Sequence, residues 1–159
     1  MDFSVTQNGK ELSKEKYNWD EKTKTFSTTE DNLVIDFGTA SNLTFKTGSN
    51  CTFNTFNNCT FNTSSNCIFN TGSYCTFNTD WNCTFKTGWN CTFNTGSNCF
   101  AIRYGVTGVT EIPNGEIIKF NGYGISGYTV IKEKEVTEVT CEGKIVEIDG
   151  KKYKLTKVD

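Results

Sequence analysis

The most reactive side chains in this 159-residue chain belong to its eight cysteines. Seven of them recur at every eighth position, and Cys141 stands apart; the seven are Cys51, Cys59, Cys67, Cys75, Cys83, Cys91 and Cys99. Zinc ribbons use C-x-x-C pairs, usually with histidine, and the chain has neither. The spacing therefore favours reduced, buried cysteines that pack as small apolar residues, with disulfides or a bound metal as the alternatives.

The composition argues against several classes of function. The chain has no histidine, which is the commonest general base and metal ligand. Its formal charge of -2 gives no electrostatic reason to bind nucleic acid. No segment approaches the roughly 18 apolar residues of a membrane helix, and the start MDFSVTQNGKE does not resemble a signal peptide. We therefore expect no enzymatic activity, no cofactor, no metal, no nucleic-acid or membrane partner and no signal peptide.

The cysteines belong to an eight-residue repeat that runs without insertion over residues 35–98. The octads are IDFGTASN, LTFKTGSN, CTFNTFNN, CTFNTSSN, CIFNTGSY, CTFNTDWN, CTFKTGWN and CTFNTGSN. Position five is always Thr, and position eight is Asn except at Tyr74. Position three is always Phe, namely Phe37, Phe45, Phe53, Phe61, Phe69, Phe77, Phe85 and Phe93. A repeat of this regularity indicates that the fold is built from copies of one unit.

Each octad predicts one short strand followed by a tight corner. Positions one to five alternate apolar and polar, which is typical of a strand with one buried face. Positions six to eight are mostly Gly, Ser, Asn and Asp, which are turn formers. The sequence therefore predicts an all-β protein, a β-solenoid whose core is a phenylalanine stack beside cysteine ladders.

Two windings of the solenoid fit the repeat. In the first, one chain forms a flattened roll with two octads per coil, and the eight octads make four coils. In the second, three chains intertwine into a trimeric triangular β-prism. A bulky Phe at every central position favours the two-sheet roll.

The charged residues divide the chain into three segments. The octads carry few charges, whereas both flanks are rich in them, as expected for caps that protect open sheet edges. Asn8-Gly9 and Asp149-Gly150 predict hairpin turns in the flanks. We therefore expect an N-terminal β cap at residues 1–34, an octapeptide-repeat solenoid at 35–99 and a small C-terminal β module at 100–159.

The roll predicts two kinds of candidate contact residue. One face would carry a column of Thr beside a column of Asn, formed by Thr44, Thr60, Thr76 and Thr92 with Asn62, Asn78 and Asn94. This flat array resembles insect ice-binding solenoids, although it has one Thr column instead of two. The corners would carry aromatic residues, with Phe56, Tyr74 and Trp89 on one edge and Trp81 on the other. These rings could contact a sugar or a protein, or pack on neighbouring turns.

The run NCTFNTGSNCF resembles the octapeptide-repeat proteins of tailed bacteriophages and prophages, whose units read N-C-T-F-x-T-G-S. The resemblance covers residues 35–99 and extends more weakly to FAIRYGV and IIKFNGYGISGYTVI. It implies a non-enzymatic structural or accessory protein of the virion, assembled in the bacterial cytoplasm, that decorates the particle or forms a fibre-like β-solenoid for anchoring and display. Its expected partners are phage structural proteins or a host surface component, and it could be a monomer or a homotrimer. The alternative functions are a surface-binding module for glycan or ice, and end-to-end self-assembly.

Overall fold

The computed structural model describes residues 2–132 and the backbone of residues 145–148 and 151–154. Cys141 and the predicted turn at Asp149-Gly150 lie outside the described residues. In the described part the helical structure is one 3-10 turn at Lys14–Lys16. No helix there is long and apolar enough to cross a membrane.

The described residues form short strands along their whole length. The strands are β1 (Ser4–Gln7), β2 (Lys10–Glu11), β3 (Asn18–Asp20), β4 (Thr25–Ser27), β5 (Leu33–Asp36), β6 (Thr44–Thr47), β7 (Thr52–Asn54), β8 (Thr60–Thr63), β9 (Ile68–Asn70), β10 (Thr76–Asn78), β11 (Thr84–Thr87), β12 (Thr92–Asn94), β13 (Cys99–Arg103), β14 (Thr110–Ile112), β15 (Ile117–Phe120), β16 (Tyr128–Ile131), β17 (Ile145–Ile148) and β18 (Lys151–Lys154). Strands β17 and β18 pair antiparallel as a sheet of their own.

The other strands form two eight-stranded sheets in which successive octads alternate. The first sheet has the order β14-β13-β11-β9-β7-β5-β1-β2, and the second has the order β16-β15-β12-β10-β8-β6-β4-β3. Neighbouring octad strands within a sheet are parallel, and from the second octad onward they are in register, so that Phe53 pairs with Phe69 and Phe61 pairs with Phe77. The first octad differs from the predicted repeat by two residues, because Ile35 and not Phe37 pairs with Phe53. This arrangement confirms the β-solenoid with two octads per coil. The hydrogen-bonded neighbours of each octad belong to the same chain, as in the roll and not the prism.

The solenoid has about five turns, whereas the octads alone account for four. The additional strands come from the flanks, because β4 continues the parallel stack of the second sheet and β13 that of the first. Phe26 of β4 pairs with Phe45 and is fully buried, so it occupies the place of an octad phenylalanine. The segment 1–34 therefore supplies one strand of the solenoid, which is half a turn, as well as its cap.

The phenylalanines form the centre of the core in a herringbone arrangement. Within a sheet, the rings of Phe53 and Phe69 stack at 5.0 Å with an interplanar angle of 2°. Across the sheets, the rings of Phe53 and Phe61 meet edge to face at 5.3 Å and 71°. Offset-stacked and edge-to-face pairs are the two favoured aromatic geometries, each contributing about 0.5–1.5 kcal/mol beyond area burial. The octad phenylalanines thus bind each coil both to the next coil and across its own two strands.

The corners are formed by residues in the left-handed backbone region. The residue at position eight of every octad has a positive φ, for example 56° at Asn50 and 59° at Asn66. Asn adopts this region more readily than most residues. The corner backbone is also hydrogen-bonded along the solenoid axis, as where the Asn50 N–H donates to the Ser65 carbonyl at 3.0 Å. Tyr74 takes the same conformation, with a φ of 61°, without the advantage of an Asn side chain.

Antiparallel strands cover both ends of the parallel stack. At the N-terminal end, β1 and β2 form a hairpin whose turn residues Asn8 and Gly9 have φ values of 52° and 75°. This is the primed type of turn that the dipeptide predicts. Phe3, which precedes β1, stacks on Phe37 at 4.3 Å and covers the end of the aromatic column. At the C-terminal end, β14 and the pair β15–β16 extend the first and second sheets.

We expect the protein to be a monomer, because the strand pairs of the solenoid lie within one chain. Size-exclusion chromatography coupled to light scattering, under reducing conditions, should give a mass near 17.8 kDa. A mass three times larger would instead support the intertwined prism.

Candidate functional site

The predicted Thr and Asn columns lie together on the outer side of the second sheet. Thr60 pairs with Thr44 on one side and with Thr76 on the other, and Thr76 pairs with Thr92. All four are partly exposed. In the adjacent column of Asn62, Asn78 and Asn94, the Asn78 amide donates to Asn62 Oδ1 at 3.0 Å. This face, which we call the Thr/Asn face, therefore presents a regular array of hydroxyl and amide groups.

The outer side of the first sheet carries a chain of hydrogen bonds along the solenoid axis. The Asn54 amide donates to Asp36 Oδ1 at 2.9 Å, and the Asn70 amide donates to Asn54 Oδ1 at 3.1 Å. This series of hydrogen bonds ends where the Tyr104 hydroxyl donates to Asn70 Oδ1 at 2.5 Å. The last bond holds the Tyr104 ring against the side of the solenoid, although the backbone of Tyr104 lies two turns from Asn70.

A groove runs along the edge of the solenoid that carries Phe56, Tyr74 and Trp89. Position six of the successive turns on this edge is Ala40, Phe56, Gly72, Gly88 and Tyr104, stacked by axial backbone hydrogen bonds and the β11–β13 pairing. The two glycines leave a gap of about 620 Å³ between the rings of Phe56 and Tyr104. We call this gap the Phe56–Tyr104 groove.

The predicted corner aromatics differ in how they are packed. Tyr74 and Trp89 line the groove with Phe56. Phe56 is 47% exposed and Tyr74 is 57% exposed, whereas Trp89 is partly buried and meets Tyr123 edge to face at 4.9 Å. Trp81 lies on the opposite edge, as predicted, and is 51% exposed. The structure thus brings three of the four candidate aromatics into one site.

The floor of the groove consists of glycines because polar side chains of the preceding corner occupy the space that a Cβ would need. Asn57 Oδ1 accepts a hydrogen bond from the Ser73 N–H at 2.8 Å, and Ser73 Oγ accepts one from the Trp89 N–H at 3.1 Å. A Cβ at Gly72 would overlap Asn57 Oδ1, and a Cβ at Gly88 would overlap Ser73 Oγ. The hydrogen bonds that join successive corners therefore exclude side chains from the groove floor.

A second cavity of about 420 Å³ continues the groove toward the C-terminal end. It shares Trp89 and Tyr104 with the groove, and Tyr123 also lines it. The buried Arg103 donates to the Asn121 carbonyl at 3.2 Å, which ties β13 to the segment after β15. Burial raises the pKa of Tyr104, so its hydroxyl stays protonated as a donor at neutral pH.

Tyr104 and the two glycines are groove residues that the sequence analysis did not identify. The signal for Tyr104 is present, because counting in eights past Cys99 places it at position six of a ninth unit. Gly72 and Gly88 stand at position six of their octads, but Gly48 and Gly96 of the opposite edge do so too, so a glycine at this position does not by itself indicate the groove. The gap becomes visible only when alternate octads are superimposed as one edge of the roll.

The octad cysteines form two ladders inside the solenoid. One column contains Cys51, Cys67, Cys83 and Cys99, and the other contains Cys59, Cys75 and Cys91. All seven are buried free thiols packed beside the phenylalanines, as predicted. Their sulfurs donate to corner carbonyls, for example from Cys67 to Ser65 at 3.5 Å. Among the described residues, no group of three His, Cys, Asp or Glu side chains is placed to hold a metal ion.

Hydrogen bonds along each ladder shift the pKa values of the thiols. A bond from Cys67 lowers the pKa of Cys51 to about 7, against the effect of burial. The same bond, together with burial, raises the pKa of Cys67 to about 11. A bond to Cys75, again with burial, raises the pKa of Cys59. Cys67 and Cys59 are therefore neutral at physiological pH, and Cys51, which could ionise there, is enclosed in the core.

The chain matches no protein-family model, no curated protein and no solved structure.

We expect the seven octad thiols to react with a thiol reagent only when the protein unfolds, because they are enclosed by the two sheets. In a Cys141→Ser variant, 5,5′-dithiobis(2-nitrobenzoate) should label no thiol rapidly in the native state and seven in guanidinium. Rapid labelling of one native thiol, with a midpoint near pH 7, would show that Cys51 is accessible and contradict the enclosure.

Proposed function

We propose that this protein is a non-enzymatic structural protein of a bacteriophage particle. It acts there as a stiff spacer that is anchored at one end and displays its other end for contact. The observation that carries this proposal is the column of stacked phenylalanines from Phe45 to Phe93, which Phe26 extends with a tilted ring 6.3 Å from that of Phe45. Because each coil is stacked on the next through the same contacts, the solenoid resists bending and keeps its two ends apart. The phage setting rests on the resemblance of the octads to phage octapeptide-repeat proteins.

The two ends of the solenoid support a division between anchoring and contact. The N-terminal end is closed by β1–β3, with Phe3 against the aromatic column. The C-terminal end exposes large apolar side chains, including Val109 at 63%, Tyr123 at 80% and Ile125 at 60%. Large apolar side chains exposed at one end of a fold are typical of protein contact sites. We propose that the C-terminal end contacts another phage structural protein or a host surface component.

Association with virions tests the structural role. Mass spectrometry of gradient-purified phage particles from the source of this sequence should detect the protein in a fixed ratio to the major capsid protein. A non-structural phage protein from the same lysate, such as a replication protein, serves as the purification control. The presence of this protein in the lysate but not in the particles would contradict the proposal.

A second candidate function is surface binding by the Thr/Asn face, to ice or to a glycan. The observation in its favour is the in-register Thr column, whose hydroxyls repeat at the strand spacing of about 4.8 Å. Such a spacing can match a regular surface, although one Thr column offers fewer matched groups than two.

Replacing Thr60 and Thr76 by Tyr should abolish any inhibition of ice recrystallisation or retention on glycan beads, because two bulky rings would interrupt the flat face. The matched control is Thr84→Tyr on the outer side of the first sheet. Activity that survives the double replacement would refute the assignment to this face.

A further inference from the structure

We propose that the Phe56–Tyr104 groove is a binding site for a neutral oligosaccharide. The groove spans three turns, or about 14 Å at the usual strand spacing, and its volume of about 620 Å³ lies within the range of small-molecule sites. Such a site would function independently of the spacer role and of where the protein is attached.

The backbone conformation and the exposure of Tyr74 both favour a ligand in the groove. It is the one octad residue at position eight that is not Asn, and its φ of 61° is unfavourable for a bulky side chain. More than half of its surface is exposed, so little packing offsets this conformational cost. A strained, exposed aromatic residue on a rigid scaffold is typical of a contact site.

The lining of the groove matches the chemistry of a sugar. The rings of Phe56, Tyr74 and Trp89 offer apolar surfaces on which the C–H face of a pyranose can pack. The amides of Asn54 and Asn70 lie beside them, and each has donor or acceptor capacity beyond its bonds in the axial chain. Aromatic surfaces next to groups that both donate and accept hydrogen bonds suit a ligand rich in hydroxyls.

The charge of the groove favours a neutral ligand. None of the residues that line it carries a charge. The nearest charged residues of the same column are already engaged, because Asp36 accepts bonds from Asn54 and from the Gly38 N–H. Lys86 lies 5.4 Å from the centre of the Tyr104 ring in a cation–π contact.

The backbone of the groove argues against an extended peptide as the ligand. A peptide that adds to a sheet needs unpaired backbone groups. Here the Gly72 N–H donates to the Phe56 carbonyl at 3.0 Å, and the Gly88 N–H donates to the Gly72 carbonyl at 2.9 Å. Recognition in this groove must therefore use side chains, which favours a sugar over a strand.

Binding can be tested on the full chain with variants that restore the ordinary octad residues and so preserve the fold. The replacements are Phe56→Ser, Tyr74→Asn and Trp89→Ser, since Ser or Asn occupies these positions in other octads. Trp81→Ser on the opposite edge is the matched control. Isothermal titration calorimetry should use neutral tetrasaccharides of glucose, galactose, mannose and N-acetylglucosamine, with a tetragalacturonate and a Gly/Ser-rich peptide for comparison.

We expect at least one neutral tetrasaccharide to bind, and each groove variant to weaken that binding at least tenfold while Trp81→Ser leaves it unchanged. Tyr74→Asn should at the same time raise the Tm by about 2–4 °C, because it removes an unfavourable left-handed conformation. This combination of a more stable protein with weaker binding separates loss of the site from loss of the fold.

Three outcomes would overturn the proposal. The first is that no neutral tetrasaccharide binds at millimolar concentration. The second is that binding survives the groove variants, which would place the ligand elsewhere, such as on the Thr/Asn face. The third is that only the tetragalacturonate or the peptide binds, which would assign the groove to another class of ligand.

Discussion

The contact between phenylalanine rings is the interaction on which the rest of this structure depends. At the centre of the column, Phe69 stacks on Phe53 and Phe85 of its own sheet and meets Phe61 and Phe77 of the other sheet edge to face. This geometry leaves room for one ring per half-turn, and the position-five Thr and position-one Cys fill the remaining width of the core. A period of eight residues keeps successive rings in the stack, and the first turn departs from it, because ten residues separate Ile35, which pairs with Phe53, from Phe45, which pairs with Phe61.

The sequence differences between octads are concentrated at the corners, because the core positions have little room for other side chains. The backbone of the corners is bonded along the axis and their outward side chains differ from turn to turn, although Gly72 has no room for a side chain because Asn57 of the preceding corner fills the space. Position six holds Phe56 in one turn and Gly72 in the next, and both fit the same backbone path. The groove therefore arises from a local absence of side chains and needs no change in the fold. Tyr74 is the exception, since its left-handed conformation carries an energetic cost.

The solenoid could be predicted from the sequence because its repeat is unbroken and its buried positions alternate. The contribution of Phe26 could not, because it precedes Phe37 by eleven residues and so falls outside the eight-residue count. The edge assignment of Phe56, Tyr74 and Trp89 followed from counting two octads per coil. The same count places Tyr104 on this edge, but it does not predict where the Tyr104 ring lies, because that depends on the hydrogen bond to Asn70, 34 positions earlier.

The alternation of octads between the two sheets has a consequence for how such a chain can change its length. Loss or gain of two octads removes or adds a whole coil and leaves every later residue on its own sheet and its own edge. Loss or gain of one octad exchanges the sheets for everything that follows, so β13 would continue the second sheet and Tyr104 would sit on the edge of Trp81. A change of sixteen residues between Phe56 and Tyr104 would therefore keep both rings on one edge and alter only the length of the groove. A change of eight residues would place the two rings on opposite edges and abolish the groove.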